Sequence, residues 1–178
     1  MRIGVAGVGG IGSNVILHLV RSGIKNFKIV DFDIVQPSNL NRQFYFSDQI
    51  GMPKVVALQE NLRRIFSDID IISENKKISE GNIEETFEDC EIVVEGFDNE
   101  VDKSMLITKL FNKKKLIVSA NGVAGIDTEE VFVKNIGESI FIVGDFKSDI
   151  KSSKLYSHKV NLIASIMAEI VLKKLENN

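Results

Sequence analysis

The strongest constraint on the fold is a glycine run placed between a short apolar strand and an amphipathic helix. Arg2-Ile3-Gly4-Val5-Ala6 reads as a strand. Gly7-Val8-Gly9-Gly10-Ile11-Gly12 follows it directly. Ser13 to Ser22 then reads as a helix, with Val15, Ile16, Leu19 and Val20 on one face and Gly23 as its stop. A strand, a tight glycine turn and a helix in this order specify the first unit of a doubly wound α/β sheet. In such a turn the first glycine allows the bend and the second lets backbone approach a phosphate. The third lets helix pack close on strand, and the helix N-terminus favours an anion.

The rest of the chain continues the alternation expected of a mostly parallel sheet covered by helices. Strands are expected at Phe27 to Asp33, Ile69 to Ser73, Ile92 to Glu95 and Leu116 to Ser119. Helices are expected at Pro53 to Phe66, with Pro53 in the first turn and Val55, Leu58, Leu62 and Ile65 as its apolar stripe, and at Val101 to Asn112. Ile83 to Glu88 makes a short helix at best. Val131 to Val133 and Ile140 to Val143 read as an antiparallel extension, and Val160 to Leu175 as a closing helix. Gly144 to Tyr156 is the least patterned stretch and is expected to be a mobile loop. The expected fold is therefore Rossmann-like, a mostly parallel sheet with helices on both faces and a C-terminal antiparallel β extension. The 178 residues suit one domain, 1–178.

Bulk properties exclude several classes. The net charge of −3 gives no electrostatic reason for a nucleic-acid partner. No segment is long and apolar enough to span a membrane, and the glycines at 4 and 7 interrupt any signal-like start, so a cytoplasmic location is expected. Cys90 is the single cysteine, which rules out an internal disulfide, a four-cysteine zinc site and any paired cysteine motif.

Glycine turns serve NAD, FAD and ATP alike. Asp31, at the end of the second expected strand, suits a ribose hydroxyl in any of them. Three downstream clusters discriminate. Arg42, within Ser38-Asn39-Leu40-Asn41-Arg42-Gln43, can pair bidentately with phosphate oxygens. Lys54, after Gly51-Met52-Pro53, opens a helix, where a cation is mildly unfavourable unless an anion compensates it. Asp98, within Gly96-Phe97-Asp98-Asn99, follows a buried strand at the carboxyl edge of the sheet, where ligands of open α/β sheets bind and where a carboxylate could hold Mg²⁺ on phosphates. Taken singly, Arg42 or Lys54 is an ordinary solvated charge and Asp98 or Asn99 an ordinary helix cap. Taken together after Asp31, two cations and a carboxylate match a site that cuts a triphosphate better than one that transfers hydride.

In order and spacing these motifs resemble the ThiF/MoeB/HesA family, which is related to the ubiquitin-activating enzymes. The likeness runs from Arg2 to about Val143, and is greatest to the short ThiF-type members, including the Val118-Ser119-Ala120-Asn121-Gly122 turn and the Gly144-Asp145 segment. The resemblance implies adenylation, by ATP with Mg²⁺, of the C-terminal glycine carboxylate of a small ubiquitin-fold sulfur carrier (ThiS-like), releasing pyrophosphate, in thiamine synthesis. By motif, Gly7, Gly9, Gly10 and Gly12 would hold phosphate and Asp31 the ribose. Asn39, Arg42 and Lys54 would hold the triphosphate, and Asp98 the metal. Arg42, Lys54 and Asp98 would be the catalytic set. A homodimer is implied by the same likeness.

Three departures accompany it. The leading helix whose arginine reaches a partner subunit's nucleotide has no counterpart, and Arg2 is a poor substitute. The paired cysteine motifs are missing, so no structural zinc is expected. The later sulfur-transfer cysteine is missing too, and Cys90 reads as a small core residue. His18 reads as a boundary residue of the first helix and His158 as preceding the last helix. Lys113-Lys114-Lys115 reads as a solvated helix end, and Glu84-Glu85 with Glu88-Asp89 as an acidic face without ligand spacing. A non-catalytic nucleotide- or carrier-binding module, a nicotinamide-dependent oxidoreductase and a dehydratase acting on modified tRNA are the competing expectations.

Overall fold

The computed structural model describes residues 1–113 and 115–177. Seven strands form one sheet: β1 (Ile3–Ala6), β2 (Asn26–Val30), β3 (Asp70–Glu74), β4 (Ile92–Glu95), β5 (Leu116–Ala120), β6 (Phe132–Ile136) and β7 (Ile140–Gly144). Their order is β3-β2-β1-β4-β5-β7-β6. All neighbours are parallel except β6 and β7, which pair antiparallel from Phe132↔Gly144 to Ile136↔Ile140. The helices are α1 (Gly10–Arg21), α2 (Lys54–Arg63), α3 (Ile83–Thr86), α4 (Glu100–Leu110) and α5 (Ser157–Glu176).

The period-2 alternation of the strands divides the core in two. Ile3, Val5, Phe27, Ile29, Val94 and Val118 face one side, where α1, α2 and α5 bring Val15, Leu19, Leu58, Leu62, Ile163 and Met167. Ala6, Val30, Val93 and Ile117 face the other, where Phe87 follows α3 and α4 brings Leu106 and Leu110. Side chains as deeply buried as Val15, Leu19 and Leu58, each at 0% exposure, contribute roughly 1.5–3 kcal/mol apiece relative to exposure. Both faces are therefore fully driven, and the strand order reverses between β1 and β4.

Several element ends differ from expectation. α1 begins at Gly10, not Ser13, so the helix includes half of the glycine run. β2 stops at Val30 and leaves Asp31 to Asp33 beyond the sheet. Pro53 stands just ahead of α2 with ψ 132°, so Lys54 is the first helical residue. α5 begins at Ser157 and takes in His158. Lys113 pairs with Glu84 and Lys115 is 9% exposed with its ammonium on the Glu88 and Cys90 carbonyls, so neither is a merely solvated end. Lys114 lies outside the described residues.

The 144–156 segment is tied down at its start. Asp145 Oδ1 accepts from the Lys147 and Ser148 N–H groups at 2.9 and 2.8 Å and from Ser148 Oγ at 3.0 Å. Its Oδ2 accepts from the buried Lys159 ammonium at 2.6 Å. Burial works to raise the Asp145 carboxyl, but these donors outweigh it and hold it at about 2. No helix is long and apolar enough to cross a membrane among the described residues.

Candidate active site

The glycine run closes on the sheet through two contacts that only glycines allow. A Cβ on Gly12 would stand 2.0 Å from the Gly7 carbonyl oxygen, and one on Gly96 would stand 2.5 Å from the same atom. Gly7 itself has φ +83°, in the left-handed region. These contacts bring the start of α1, the end of β1 and the turn after β4 together. Gly9 is different, since a Cβ there would meet nothing closer than the Gln43 amide nitrogen at 3.7 Å. Gly9 caps α1 without a side-chain hydrogen bond, and the first turn carries no acidic residue. The orphan N–H groups of that turn and its positive dipole end are left for an anion.

Asp31 is 9% exposed, one residue past β2. Its Oδ2 accepts from the Val8 N–H at 2.8 Å and its Oδ1 from the Asp33 N–H at 2.8 Å. Burial pushes its carboxyl up, while nearby Lys54 and the two backbone donors pull it down. Each oxygen keeps acceptor capacity for a hydroxyl. The carboxylate thus shapes the glycine loop through Val8 and keeps acceptor capacity beside it. Tyr45 joins it from the other side, donating its phenol to the Val8 carbonyl at 2.6 Å.

The strap from Asp31 to Pro53 lays its polar groups over α1. Ser13 Oγ donates to the Gly9 carbonyl at 2.6 Å and accepts from the Phe44 N–H at 3.1 Å. Asn14 donates to the Gly10 and Arg42 carbonyls, both at 2.7 Å. Arg42 is thereby held over the glycine loop, its side chain 3.8 Å from the Cβ position of Gly10. The guanidinium donates to the Ser38 carbonyl at 2.8 Å and to Asn41 Oδ1 at 2.7 Å, and among the described residues no carboxylate pairs with it. Its half-burial lowers its pKa. Asn39 is buried and spends its carboxamide oxygen on the Gln36 N–H at 3.0 Å, leaving the NH₂ end as a donor. Lys54 is 6% exposed rather than solvated, with its ammonium 2.8 Å from Asp33 Oδ2.

Asp98 lies in the turn between β4 and α4. Asn99 takes the capping role, accepting from the Asp102 N–H at 2.9 Å. Asp98 is exposed and engaged by no hydrogen bond or ion pair among the described residues. Gly96 sets this turn against Gly7, next to the glycine loop. No group of three or more metal-ligating side chains occurs among the described residues. The donor set fits a cation carried mainly by phosphate oxygens with one carboxylate added.

The remaining candidates fall elsewhere. Arg2 sits at the opposite edge of the sheet, bonded to Asp89, to Asp70 at 3.3 Å and to Asn26 at 2.8 Å. Cys90 is buried, and burial, with Asp89 beside it, pushes its thiol up to about 12, unsuited to nucleophilic work at neutral pH. His158 contacts the Ile126 carbonyl at 2.7 Å. His18 is half-buried and its pKa is lowered by burial. Around the glycine loop, the sequence assigned no role to Ser13, Asn14, Tyr45 or Gln43, whose Oε1 is buried without a partner among the described residues. Their signal was only polarity at positions that a helix or strap would bury. Beyond Arg42, a cleft of about 520 Å³ opens between Asn41–Arg42 and Ile150–Tyr156.

The ThiF family model matches residues 1–178. The molybdopterin-synthase adenylyltransferase of Escherichia coli K12 is 26% identical over 180 residues, covering 98% of this chain and 72% of that protein. The sulfur carrier protein ThiS adenylyltransferase of Bacillus subtilis 168 is 38% identical over 101 residues, covering 55% of this chain and 30% of that protein. In two further curated relatives the matched part spans only 27% and 15% of their lengths. Among solved structures, the E. coli tRNA N6-threonylcarbamoyladenosine dehydratase TcdA in complex with AMP superposes with TM-score 0.90 at 19% identity, covering 99% of this chain and 86% of that one. At that identity the superposition speaks to the fold.

Proposed function

Because the chain belongs to the ThiF family, we propose that it is an ATP-dependent adenylyltransferase that joins the α-phosphate of ATP to a carboxylate. The observation that carries this reading is the pair of cations at the glycine loop. Arg42 is half-buried over Gly10 with no carboxylate partner among the described residues. Lys54 is buried, bonded to the exposed Asp33 and close enough to Asp31 to feel its charge. Hydride transfer from a nicotinamide gives these groups nothing to do, whereas a triphosphate uses both.

In the proposed reaction, a carboxylate oxygen attacks the α-phosphorus, the bond to the bridging oxygen breaks, and pyrophosphate leaves with the electron pair. A carboxylate is already ionised at neutral pH, with an ordinary pKa near ~4, so no general base is required and none is assigned. The chain's residues position and stabilise charge. Asp31 takes the ribose hydroxyl. The first turn of α1, from Gly9 and Gly10, faces the phosphates. Asn39, Arg42 and Lys54 hold the triphosphate and accept the charge that develops on the departing pyrophosphate. Asp98 would hold a Mg²⁺, which when bound neutralises phosphate charge.

The substrate that fits this reading is the C-terminal glycine of a small ubiquitin-fold sulfur carrier of the ThiS type, in thiamine synthesis. The Bacillus relative named for the sulfur carrier protein ThiS supports the carrier class. A homodimer in the cytoplasm, with neither nucleic acid nor membrane as partner and with no structural zinc, completes the proposal.

The test is a thermal-shift titration with ATP plus Mg²⁺ against NAD⁺ and NADH, followed by intact-mass analysis of a ThiS-type carrier incubated with protein and ATP. Stabilisation by about 2.7 kcal/mol is expected at a hundred times the dissociation constant, with a carrier heavier by one AMP. Stabilisation by NADH alone would overturn the nucleotide assignment. ATP binding without carrier modification would make the protein a binding module.

A further inference from the structure

Directly beneath the Asp98 turn lies a polar cluster that no assigned role uses. Glu95, the last residue of β4, is 0% exposed. Strand alternation points it to the α4 side of the sheet, the side of Val93 and Ile117. Three elements converge on its carboxylate. From α4, the Lys103 ammonium reaches Oε1 at 3.1 Å and Oε2 at 3.0 Å. From β5, Ser119 Oγ donates to Oε2 at 2.6 Å. From the turn itself, the Phe97 N–H donates to Oε1 at 2.6 Å.

This cluster reaches the site through the backbone on both sides of Asp98. Phe97 is the immediate neighbour of Asp98, and the bond from its N–H to Glu95 fixes the Gly96–Phe97 peptide, one peptide ahead of Asp98. Gly96 is held on β1 by its N–H to the Ala6 carbonyl at 2.8 Å and lies against the Gly7 carbonyl. Lys103 also continues α4 from its cap, its N–H donating to the Asn99 carbonyl at 3.2 Å. The turn is thus clamped at residues 95, 96, 97 and 99, and Asp98 is the one member left without a bond among the described residues. A carboxylate that is exposed and unbonded on a turn clamped at its flanking residues has its backbone placed while both oxygens stay available, as a metal-facing group requires. Lys103 also pairs with the Glu95 charge, so that Asp98 is the unpaired carboxylate of residues 95–99, with Glu100 and Asp102 following in the first turn of α4.

We propose that the Glu95–Lys103–Ser119 cluster is the positioning device that aims Asp98 at the metal–triphosphate complex, which makes Lys103 a positioning residue for metal-dependent ATP use. The inference rests on the adenylyltransferase reading, and its test separates the two. Calorimetric affinities for AMP, for ATP in chelator and for ATP with graded Mg²⁺ are compared in wild type, Lys103→Met, Lys103→Arg and Ser119→Ala, with thermal midpoints recorded for each. Lys103→Met is expected to raise the Mg²⁺ concentration needed for half-maximal enhancement of ATP affinity by about tenfold, the scale of outer-shell effects on metal affinity, while AMP affinity changes less than twofold. Lys103→Arg is expected to restore most of the difference, and Ser119→Ala to show a smaller shift in the same direction. If Lys103→Met is too unstable to measure, Ser119→Ala and Lys103→Arg carry the comparison. An unchanged Mg²⁺ requirement in a folded Lys103→Met or Ser119→Ala protein, or equal losses for AMP and ATP·Mg, would overturn the positioning role. Wild type that fails to bind ATP at all would instead overturn the function on which it rests.

Discussion

The two edges of the sheet hold similar charges in opposite conditions. At the amino edge, Arg2 bonds Asp89, Asp70 and Asn26, and Lys28 bonds Asp89 at 2.6 Å and the Thr86 carbonyl at 3.0 Å. Burial works to raise the Asp89 carboxyl, but the hydrogen bonds from Lys28 and Arg2 prevail and hold it at about 2. At the carboxyl edge, among the described residues, Arg42 has carbonyl and amide partners but no counter-ion, Lys54 bonds the exposed Asp33 with Asp31 nearby, and Asp98 has no partner. A cation whose partners are complete does structural work. A desolvated cation without a counter-ion costs stability until an anion arrives. The carboxyl edge is therefore the edge with charges to offer a ligand under the proposed function, and the same sheet supplies its own control at the other end.

That contrast can be broken at four places, from the largest expected effect to the smallest. Asp98→Ala should lower metal-dependent ATP turnover by about a hundredfold or more, since stabilisation of phosphate charge by a bound cation is worth several kcal/mol. Its thermal midpoint should stay near wild type because Asp98 makes no bond among the described residues. Normal pyrophosphate exchange in this variant would remove the metal role. Arg42→Ala should cost ATP binding about 1.5–3 kcal/mol, the range of charge-assisted hydrogen bonds, and AMP binding far less. Equal losses by calorimetry would count against contact with the β- and γ-phosphates.

Asp89→Asn should act on stability alone. Because the folded carboxyl is held at about 2, below an unfolded value near ~3.9, its contribution is complete above the unfolded pKa. It fades as pH falls from about 5 toward 2. Asp89 is 40% exposed, so solvent screening reduces the effect to about 1 kcal/mol. Denaturation curves at neutral and acid pH should show the variant losing less on acidification than wild type, and a loss of ATP affinity here would blur the division between edges. The smallest effect is expected for Asp33→Asn. On the proposed role of Lys54, Asp33 would compete with phosphate for its ammonium, so its removal should tighten ATP binding by a few tenths to about 1 kcal/mol. Weaker ATP binding with a lower midpoint would instead place Lys54 among the structural pairs.

The strands and helices were largely legible because each carries its own hydrophobic period. The misplaced ends share one cause. Gly10 and Gly12 are poor helix formers, so local propensity started α1 at Ser13, yet Gly12 is helical because only a hydrogen fits against the Gly7 carbonyl. Likewise Ser157 and His158 carry no apolar signal, and the N-terminal turn of α5 is secured by Lys159 reaching Asp145 at 2.6 Å and the Ala124 carbonyl at 2.6 Å. In the site, Asp31, Arg42, Lys54 and Asp98 were visible as charged residues at telling positions. Glu95, Lys103 and Ser119 were not, because a Glu in a strand and a Lys in a helix are unremarkable until β5 is laid beside β4.

The order of chemical types along the chain, glycine loop, strand-end aspartate, arginine, lysine and second aspartate, was determined by the sequence alone, because turn chemistry and hydrophobic periodicity are local. Tertiary structure alone decided which charges are answered. It gave Arg2, Lys28 and Lys159 their partners across the sheet, left Arg42 without a counter-ion over Gly10, and clamped every neighbour of Asp98 while leaving Asp98 unbonded among the described residues. The physical reason is that pairing and desolvation depend on distances between residues far apart in the chain, and those distances exist only once the parallel sheet has brought the strands together.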